Sequence, residues 1–443
     1  MKKKYLAEFM KYVTLNVCGM VGLSCYILAD TFFISKGLGS DGITALNLAI
    51  PIYSFVHGIG LMFGMGGATK YSIFVGQKHK KEANKVFNNT FRIALVIACI
   101  LSAAGILFSK KIAIMLGASG NILSMTDIYL KVILMFAPAF ILNEVLLSFV
   151  RNDGNPGLAM TAMLMGSFSN IILDYIFIFS FQWGMFGAVI ATSMAPLISM
   201  AILSIHKITG KQQFSLKKIR FSSKIILDVI KLGIPSLITE FAAGIVMIIF
   251  NMLILGIEGN IGVAAYGVIA NLALVFSYVY TGIAQGIQPL ISNGYGQNNV
   301  TQIKTIYQYA VMTVCLVSVV IYGFCFLYAD SVTTVFNSEG NDVLQKIAVE
   351  GMKLYFTAVP FIGFNIVTAA FFSAIEKAMP AQGISLLRGM ILIVPMAYLL
   401  AMAGGMTGIW LTVPVTEAVV CIIGIVLIVK WWKGSELFER ISK

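Results

Sequence analysis

Apolar runs of about 20 residues follow one another along this chain, each long enough to cross bilayer hydrocarbon as a helix. No other feature limits the fold as much, because a backbone in lipid must satisfy its own hydrogen bonds. Twelve spans are predicted, at about 11–33, 43–69, 88–109, 126–150, 158–181, 186–206, 225–256, 263–291, 304–329, 350–375, 381–402 and 408–432. Composition agrees. Of 443 residues, 58% are hydrophobic and 11% are charged, too few charges to cover a soluble surface. The expected fold class is therefore an all-α polytopic membrane protein. The start, "MKKKYLAEFMKYV", is basic but lacks a small-residue cleavage site after a short apolar core. No removable signal peptide is expected.

The basic residues orient the spans. The N-terminus, "GQKHKKEANK" (76–85), Arg151, the 207–231 stretch, Lys304, Lys377, Arg388 and the C-terminus fall on one side. With Lys70 and Arg92, that side holds 25 of the 31 basic residues. Both termini are expected in the cytoplasm, as an even span count requires. The net charge of +12 then reflects topology and anionic lipid headgroups, and no nucleic-acid partner is implied.

The chain repeats itself. A shift of 220 carries residues 34–77 onto 254–297 without a gap. Ile34, Gly39, Gly42, Ala45, Gly66, Ser72, Gly76 and Gln77 then match Ile254, Gly259, Gly262, Ala265, Gly286, Ser292, Gly296 and Gln297. Further on, Pro138 pairs with Pro360, Pro156 with Pro380, and "WGMFGA" (183–188) with "GGMTGI" (404–409). Six spans per repeat is even, so both halves enter the membrane in the same direction, as in transporters with parallel repeats. The expected organisation is a first lobe at 1–206, a cytoplasmic linker at 207–224 and a second lobe at 225–443, pseudo-symmetric and facing a central cleft.

Few charges lie inside the spans: Asp30, Glu144, Asp174, Glu240 and Glu417, with Glu376 near a cytoplasmic end. Intramembrane acids are candidate functional groups because insertion disfavours them. Asn170 and Asp174, four residues apart, share a helical face. Such a pair can hydrogen-bond a neighbouring helix or hold an ion or proton. The repeat bears on this choice, since Asp30 falls opposite Phe250 and Asp174 opposite Pro395. The lobes are chemically unequal. Glu240 and Glu417, opposite Met20 and Pro196, could meet a cationic substrate or a second proton; for Glu417, pairing at a helix end is the alternative. The six cysteines have neither metal-ligand spacing nor an external loop for a disulfide and are expected to pack. Of three scattered histidines, His57 lies near or within span two, where it could titrate.

Four stretches together resemble the multidrug and toxic compound extrusion (MATE) family of the MOP superfamily. They are "LADTFFISKGLGSDGITALNLAIPI" (28–52), "SNIILDYIFIFSFQWGMFGAVIATSMAPLIS" (169–199), "LGIPSLITEFAAGIVMIIFN" (232–251) and "GIWLTVPVTEAV" (408–419). The glutamate of "GIPSLITE" looks most like the DinF-like, MepA-like bacterial branch. The resemblance implies twelve helices in two six-helix lobes. It also implies a cation-coupled antiporter that exchanges Na⁺ or H⁺ for organic, cationic drugs by alternating access. Carried over, the cation site comprises Asp30, Asn170, Asp174 and Thr192. Two carboxylates, an amide oxygen and a hydroxyl suit a hard cation such as Na⁺; two close acids also suit a proton. Drugs and the lipid bilayer are the expected partners, with no cofactor, a monomeric state and a bacterial inner-membrane location. One departure is Leu15, where the family usually has a proline linked to helix bending; Gly19 and Gly22 could permit a bend instead.

A lipid-linked oligosaccharide flippase of the same superfamily is the nearest alternative. It would be expected to carry more cationic residues in its cavity than this chain shows. An intramembrane enzyme is more remote, since the chain has no phosphate loop, no HExxH and no supported Ser–His pair.

Overall fold

The computed structural model describes residues 2–210, 212–337 and 340–434. Among them every regular element is helical: α1 (Lys2–Gly76), α2 (Lys80–Met115), α3 (Gly120–Met135), α4 (Ala137–Asn152), α5 (Pro156–Tyr175), α6 (Gly184–Leu203), α7 (Ile205–Ile208), α8 (Ser223–Gly296), α9 (Val300–Leu327), α10 (Ala329–Phe336), α11 (Asp342–Tyr355), α12 (Val359–Ala374), α13 (Ala378–Leu386) and α14 (Ile393–Gly434). Single π-turns follow α5 and α13, and a 3₁₀ turn follows α11.

Eight of the described helical stretches are long and apolar enough to cross a membrane. Three of these are broken by a glycine that leaves helical geometry: Gly39 (φ 68°, ψ −157°), Gly259 (φ 62°, ψ −153°) and Gly405 (φ 54°, ψ −130°). Each break makes two spans of one, since residues with a β-carbon avoid that region. The pair α3–α4, bent by 48°, supplies the remaining crossing, so the predicted count of twelve matches. That bend lies inside the predicted span 126–150, and Pro138 in the first turn of α4 explains it.

The repeat is built into the backbone. Gly39 and Gly259 are equivalent under the shift of 220, and Gly184 (φ 58°) and Gly405 (φ 54°) under 221. The glycine contacts recur as well. A β-carbon on Gly66 would strike Val229 and Gly233, and one on Gly286 would strike Val13, the position equivalent to Gly233. Gly76 and Gly296 lie against Asn293 and Ile73, again related by 220. Small residues let helix backbones approach this closely in lipid.

Contacts divide the chain into two compact units. One comprises Thr14–Phe241 with Ser292–Gln297. Its interior includes an aromatic group of Tyr71, Phe87, Phe149 and Phe214, with ring centroids 4.4–5.9 Å apart. Phe214 belongs to the predicted linker, which is strapped down rather than loose. Asn88 Nδ2 donates to Ser215 O (2.8 Å), and Lys217 N donates to Asn88 Oδ1 (2.8 Å). Asn84 and Asn89 accept from Ser215 N and Ser222 N, and Arg92 donates to the Lys217 and Ile219 carbonyls. The strap's start is fixed by Asp153, which accepts from Tyr71 Oη (2.6 Å) and Gln213 N (2.8 Å) and pairs with His206 Nε2 (2.8 Å). The other unit contains the described residues of Met1–Val13, Ala242–Ile291 and Asn298–Lys443. Trp410 is buried there beside Tyr266 and against Gly351.

Candidate cation site

The first unit brings the four sequence-predicted cation residues together. Asp30 comes from α1, Asn170 and Asp174 from one face of α5, and Thr192 from α6; all four are buried. Glycines set the approach of the helices. Gly19 and Gly22 pack on Met163 and Leu164 of α5, and Gly37 packs on Ile178 in the π-turn after α5. In this structure Gly19 and Gly22 therefore serve contact, and the helix stays regular past Leu15 up to Gly39. Gly166 and Gly187 likewise bring α5 and α6 together, against Ala195 O and Phe177 O.

Asp30 and Asp174 come within side-chain hydrogen-bonding reach of each other. The Oδ1 atom of each is buried with no donor. Two ionised carboxylates about 4 Å apart repel by roughly 4 kcal/mol at an effective dielectric constant of 20. A proton or a cation between them removes that repulsion. The Asn170 amide nitrogen donates to Asp174 Oδ2 (3.1 Å) and its oxygen accepts from Thr192 N (3.2 Å). Turning the amide over would present its oxygen to a cation bound beside Asp174.

Two contributors escaped the sequence reading. Tyr129 of α3 is buried beside Thr192 and lies in the field of Asp30 and Asp174. No sequence spacing marks it, because α3 approaches only in the folded chain. Pro196 does leave a signal. Four residues after Thr192 in α6, it has no N–H, so the Thr192 carbonyl lacks its helical donor and is left available as a ligand. No cluster of three or more His, Cys, Asp or Glu residues suited to a metal occurs among the described residues. Two carboxylates surrounded by neutral oxygens suit a monovalent cation or a proton better than a transition metal.

The two further acids named from sequence lie elsewhere. Glu240 of α8 meets His57: Oε2 is 3.5 Å from His57 Nδ1, while Glu144 Oε1 of α4 is 3.6 Å from Nε2. Tyr53 stacks on the imidazole at 6.1 Å and hydrogen-bonds Tyr26 (2.9 Å). Glu417 of α14 lies in the second unit, 4% exposed and already compensated. Arg388 Nη2 donates to its Oε1 (2.8 Å), and Asn365 Nδ2 donates to its Oε2 (2.7 Å). A cavity of about 50 Å³ in the first unit is lined by Tyr26, Tyr53, His57, Glu144, Thr192 and Pro196, among others.

This arrangement accompanies likeness along nearly the whole chain. Multidrug export protein MepA from Staphylococcus saprophyticus is 26% identical over 406 residues, spanning 91% of this chain and 89% of that protein. The protein of the same name from Staphylococcus aureus matches to the same extent. Among solved structures, a MOP superfamily transporter from Pyrococcus furiosus superposes with a TM-score of 0.90 at 22% identity, over 97% of this chain and 96% of the other. An outward-facing MATE family multidrug resistance transporter gives 0.89 at 22%, over 95% and 94%. The MatE family profile matches residues 17–176 and 235–399, well over half of the sequence and both of its repeats, and the chain belongs to that family.

Proposed function

We propose that this chain exports organic, cationic drugs across a bacterial inner membrane in exchange for Na⁺ or H⁺, by alternating access between its two repeats. The observation that carries the exchange is the Asp30–Asp174 pair, buried in contact with donor-free oxygens. Membership of a family of transporters, and likeness to multidrug export proteins, supports small drugs as cargo. Asp30 and Asp174 supply the exchangeable negative charge. Asn170 turns its oxygen toward a metal cation or its N–H toward a carboxylate, and Thr192 supplies its hydroxyl and free carbonyl. Filling the site removes the repulsion between α1 and α5 and changes the packing of α1, α5 and α6; drug affinity follows by linkage, reciprocally.

The lobes are read as 1–206 and 225–443, joined by the 207–224 strap, with both termini cytoplasmic and a single chain as the working unit. Glu240 remains a candidate for cationic cargo or a second proton. At Glu417, cargo or a proton must compete with Arg388. The test is ethidium efflux from proteoliposomes with Na⁺ and pH gradients imposed separately. Efflux driven by at least one gradient is expected. Efflux indifferent to both would overturn the exchange.

A further inference from the structure

His57 raises a problem in counting protons. Its two ring nitrogens face one carboxylate oxygen each, Glu240 Oε2 at 3.5 Å and Glu144 Oε1 at 3.6 Å. A neutral imidazole carries one N–H, so it can face only one carboxylate with a donor. The other nitrogen would then oppose its lone pair to a negative oxygen. The arrangement is satisfied only when the three groups share a further proton, either on the imidazole or on one glutamate.

The surroundings hold the cluster in place. Gly58 packs against Leu237 and Glu240, Gly60 against Ile141 and Glu144, and Gly64 against Ser148. These glycines bring α4 and α8 onto opposite sides of α1 at His57. Tyr53 covers the ring from its own helix, with Tyr26 hydrogen-bonded to it. Arg151, further along α4, lies in the field of Glu144, but its Nη1 is engaged by Asn16 Oδ1 (2.6 Å). On the facing part of α6 the cavity lining is Thr192, Ala195, Pro196 and Ser199, without an ionisable group. Tyr129, near Tyr53, lies beside Thr192. The same cavity borders His57, Glu144 and Thr192.

We propose that His57, Glu144 and Glu240 form a second proton-binding site, separate from the Asp30–Asp174 site, with His57 and Glu144 bordering the cavity that Thr192 also lines. Its proton bridges three helices: with it, α4 and α8 are both held to α1; without it, two carboxylates face an imidazole that can satisfy one. The proton binding stands on the cluster's geometry, whereas its part in drug export rests on the exchange mechanism proposed above.

The chain has three histidines, His57, His79 and His206, so ¹⁵N-histidine labelling of the full chain in lipid nanodiscs resolves His57 directly, with His57→Asn as assignment. Between pH 5 and 9 the His57 signal should follow a coupled, broader-than-one-site curve. Glu144→Gln and Glu240→Gln, which keep side-chain volume, should each move its midpoint by about one pH unit or more, a tenfold change in proton affinity. Asp30→Asn and Asp174→Asn should move it by less than about 0.3 unit. A His57 curve unchanged in both glutamine variants refutes the shared proton. A shift in Asp174→Asn as large as in Glu240→Gln refutes a separate site. Because the spectrum needs no transport, failure of gradient-driven efflux leaves this result readable. In export-competent protein, His57→Asn should reduce the ratio of efflux rates at pH 6 and 8 at least threefold in whichever direction the native ratio departs from one; an unchanged ratio separates the proton site from coupling.

Discussion

Asn170→Ala removes two contacts from the cation site without changing its charge. The amide meets Asp174 Oδ2 at 3.1 Å and Thr192 N at 3.2 Å. Turned over, it would offer its oxygen to a cation bound beside the carboxylate. A hydrogen bond or ligand bond to a charged group contributes about 1.5–3 kcal/mol, and 1.4 kcal/mol is tenfold in affinity. If Na⁺ drives export, Asn170→Ala should raise the half-saturating Na⁺ concentration roughly 10- to 100-fold. Thr192→Val gives an internal scale. It deletes a neutral hydroxyl but keeps the carbonyl freed by Pro196, so the loss should be roughly 2- to 10-fold. The assay is initial ethidium efflux from proteoliposomes at fixed pH and rising Na⁺, with protein amount and sidedness matched. Na⁺-driven efflux with native half-saturation in Asn170→Ala refutes the placement of the ion at this amide. A larger loss in Thr192→Val than in Asn170→Ala refutes the role given to the amide oxygen.

Asp30→Asn and Asp174→Asn should each abolish gradient-driven efflux while the protein still reaches the membrane, checked by transport and surface labelling. Glu240→Gln should slow export of monovalent organic cations more than of zwitterionic drugs, because a carboxylate in a low dielectric favours a cation; equal losses in competition assays would remove it from cargo recognition. Arg388→Met strands the buried Glu417 carboxylate and should destabilise the fold by about 3–5 kcal/mol, seen in detergent melts. Adding Glu417→Leu should recover much of that stability, and a double variant as unstable as the single would contradict the pairing. Asn88→Ala removes both its donor to Ser215 and its acceptor for Lys217 and should speed tryptic cleavage at Lys217 and Lys218 severalfold.

Helices and repeat were legible from sequence because lipid leaves the backbone few choices. The glycine matches Gly39–Gly259 and Gly66–Gly286 mark a span break and a close crossing, both of which need a missing β-carbon. The bend at α3–α4 was less legible, since an apolar run reads the same whether straight or broken; Pro138 was the only cue. The candidate cation residues Asn170 and Asp174 could be paired by helical spacing alone, whereas joining them to Asp30 and Thr192 needed family resemblance. Tyr129 and the bridging of His57 to Glu144 and Glu240 were hidden, because partners 87 and 183 residues from His57 carry no periodic signature. The strap was hidden too: asparagines at 84, 88 and 89 look like an ordinary polar helix end until their side chains meet the backbone of 213–222.

The two repeats use one backbone plan for opposite electrostatic ends. Around Asp30 and Asp174 the first repeat gathers neutral oxygens, and the carboxylates keep oxygens with no donor. Their positions in the second repeat are Phe250 and Pro395, which cannot bind an ion. The second repeat's own buried carboxylate, Glu417, receives Arg388 from the π-turn after α13 and Asn365 from α12. A guanidinium on the chain is a cation that cannot leave. A duplicated exporter with an exchangeable cation in each repeat would have to coordinate two ion-binding events with one drug. Here the second repeat's buried acid is satisfied from within, which under the proposed exchange leaves the Asp30–Asp174 pair of the first as the place where a cation comes and goes. If Arg388 did no more than pack, replacing it with a neutral residue would change stability alone. If it fixes the charge of its repeat, the stabilised double variant Arg388→Met, Glu417→Leu should keep the native ion dependence of efflux, whereas Arg388→Met alone should gain a second ion dependence at Glu417. Identical ion-dependence curves in the single and double variants would show that Glu417, even unpaired, never takes an ion.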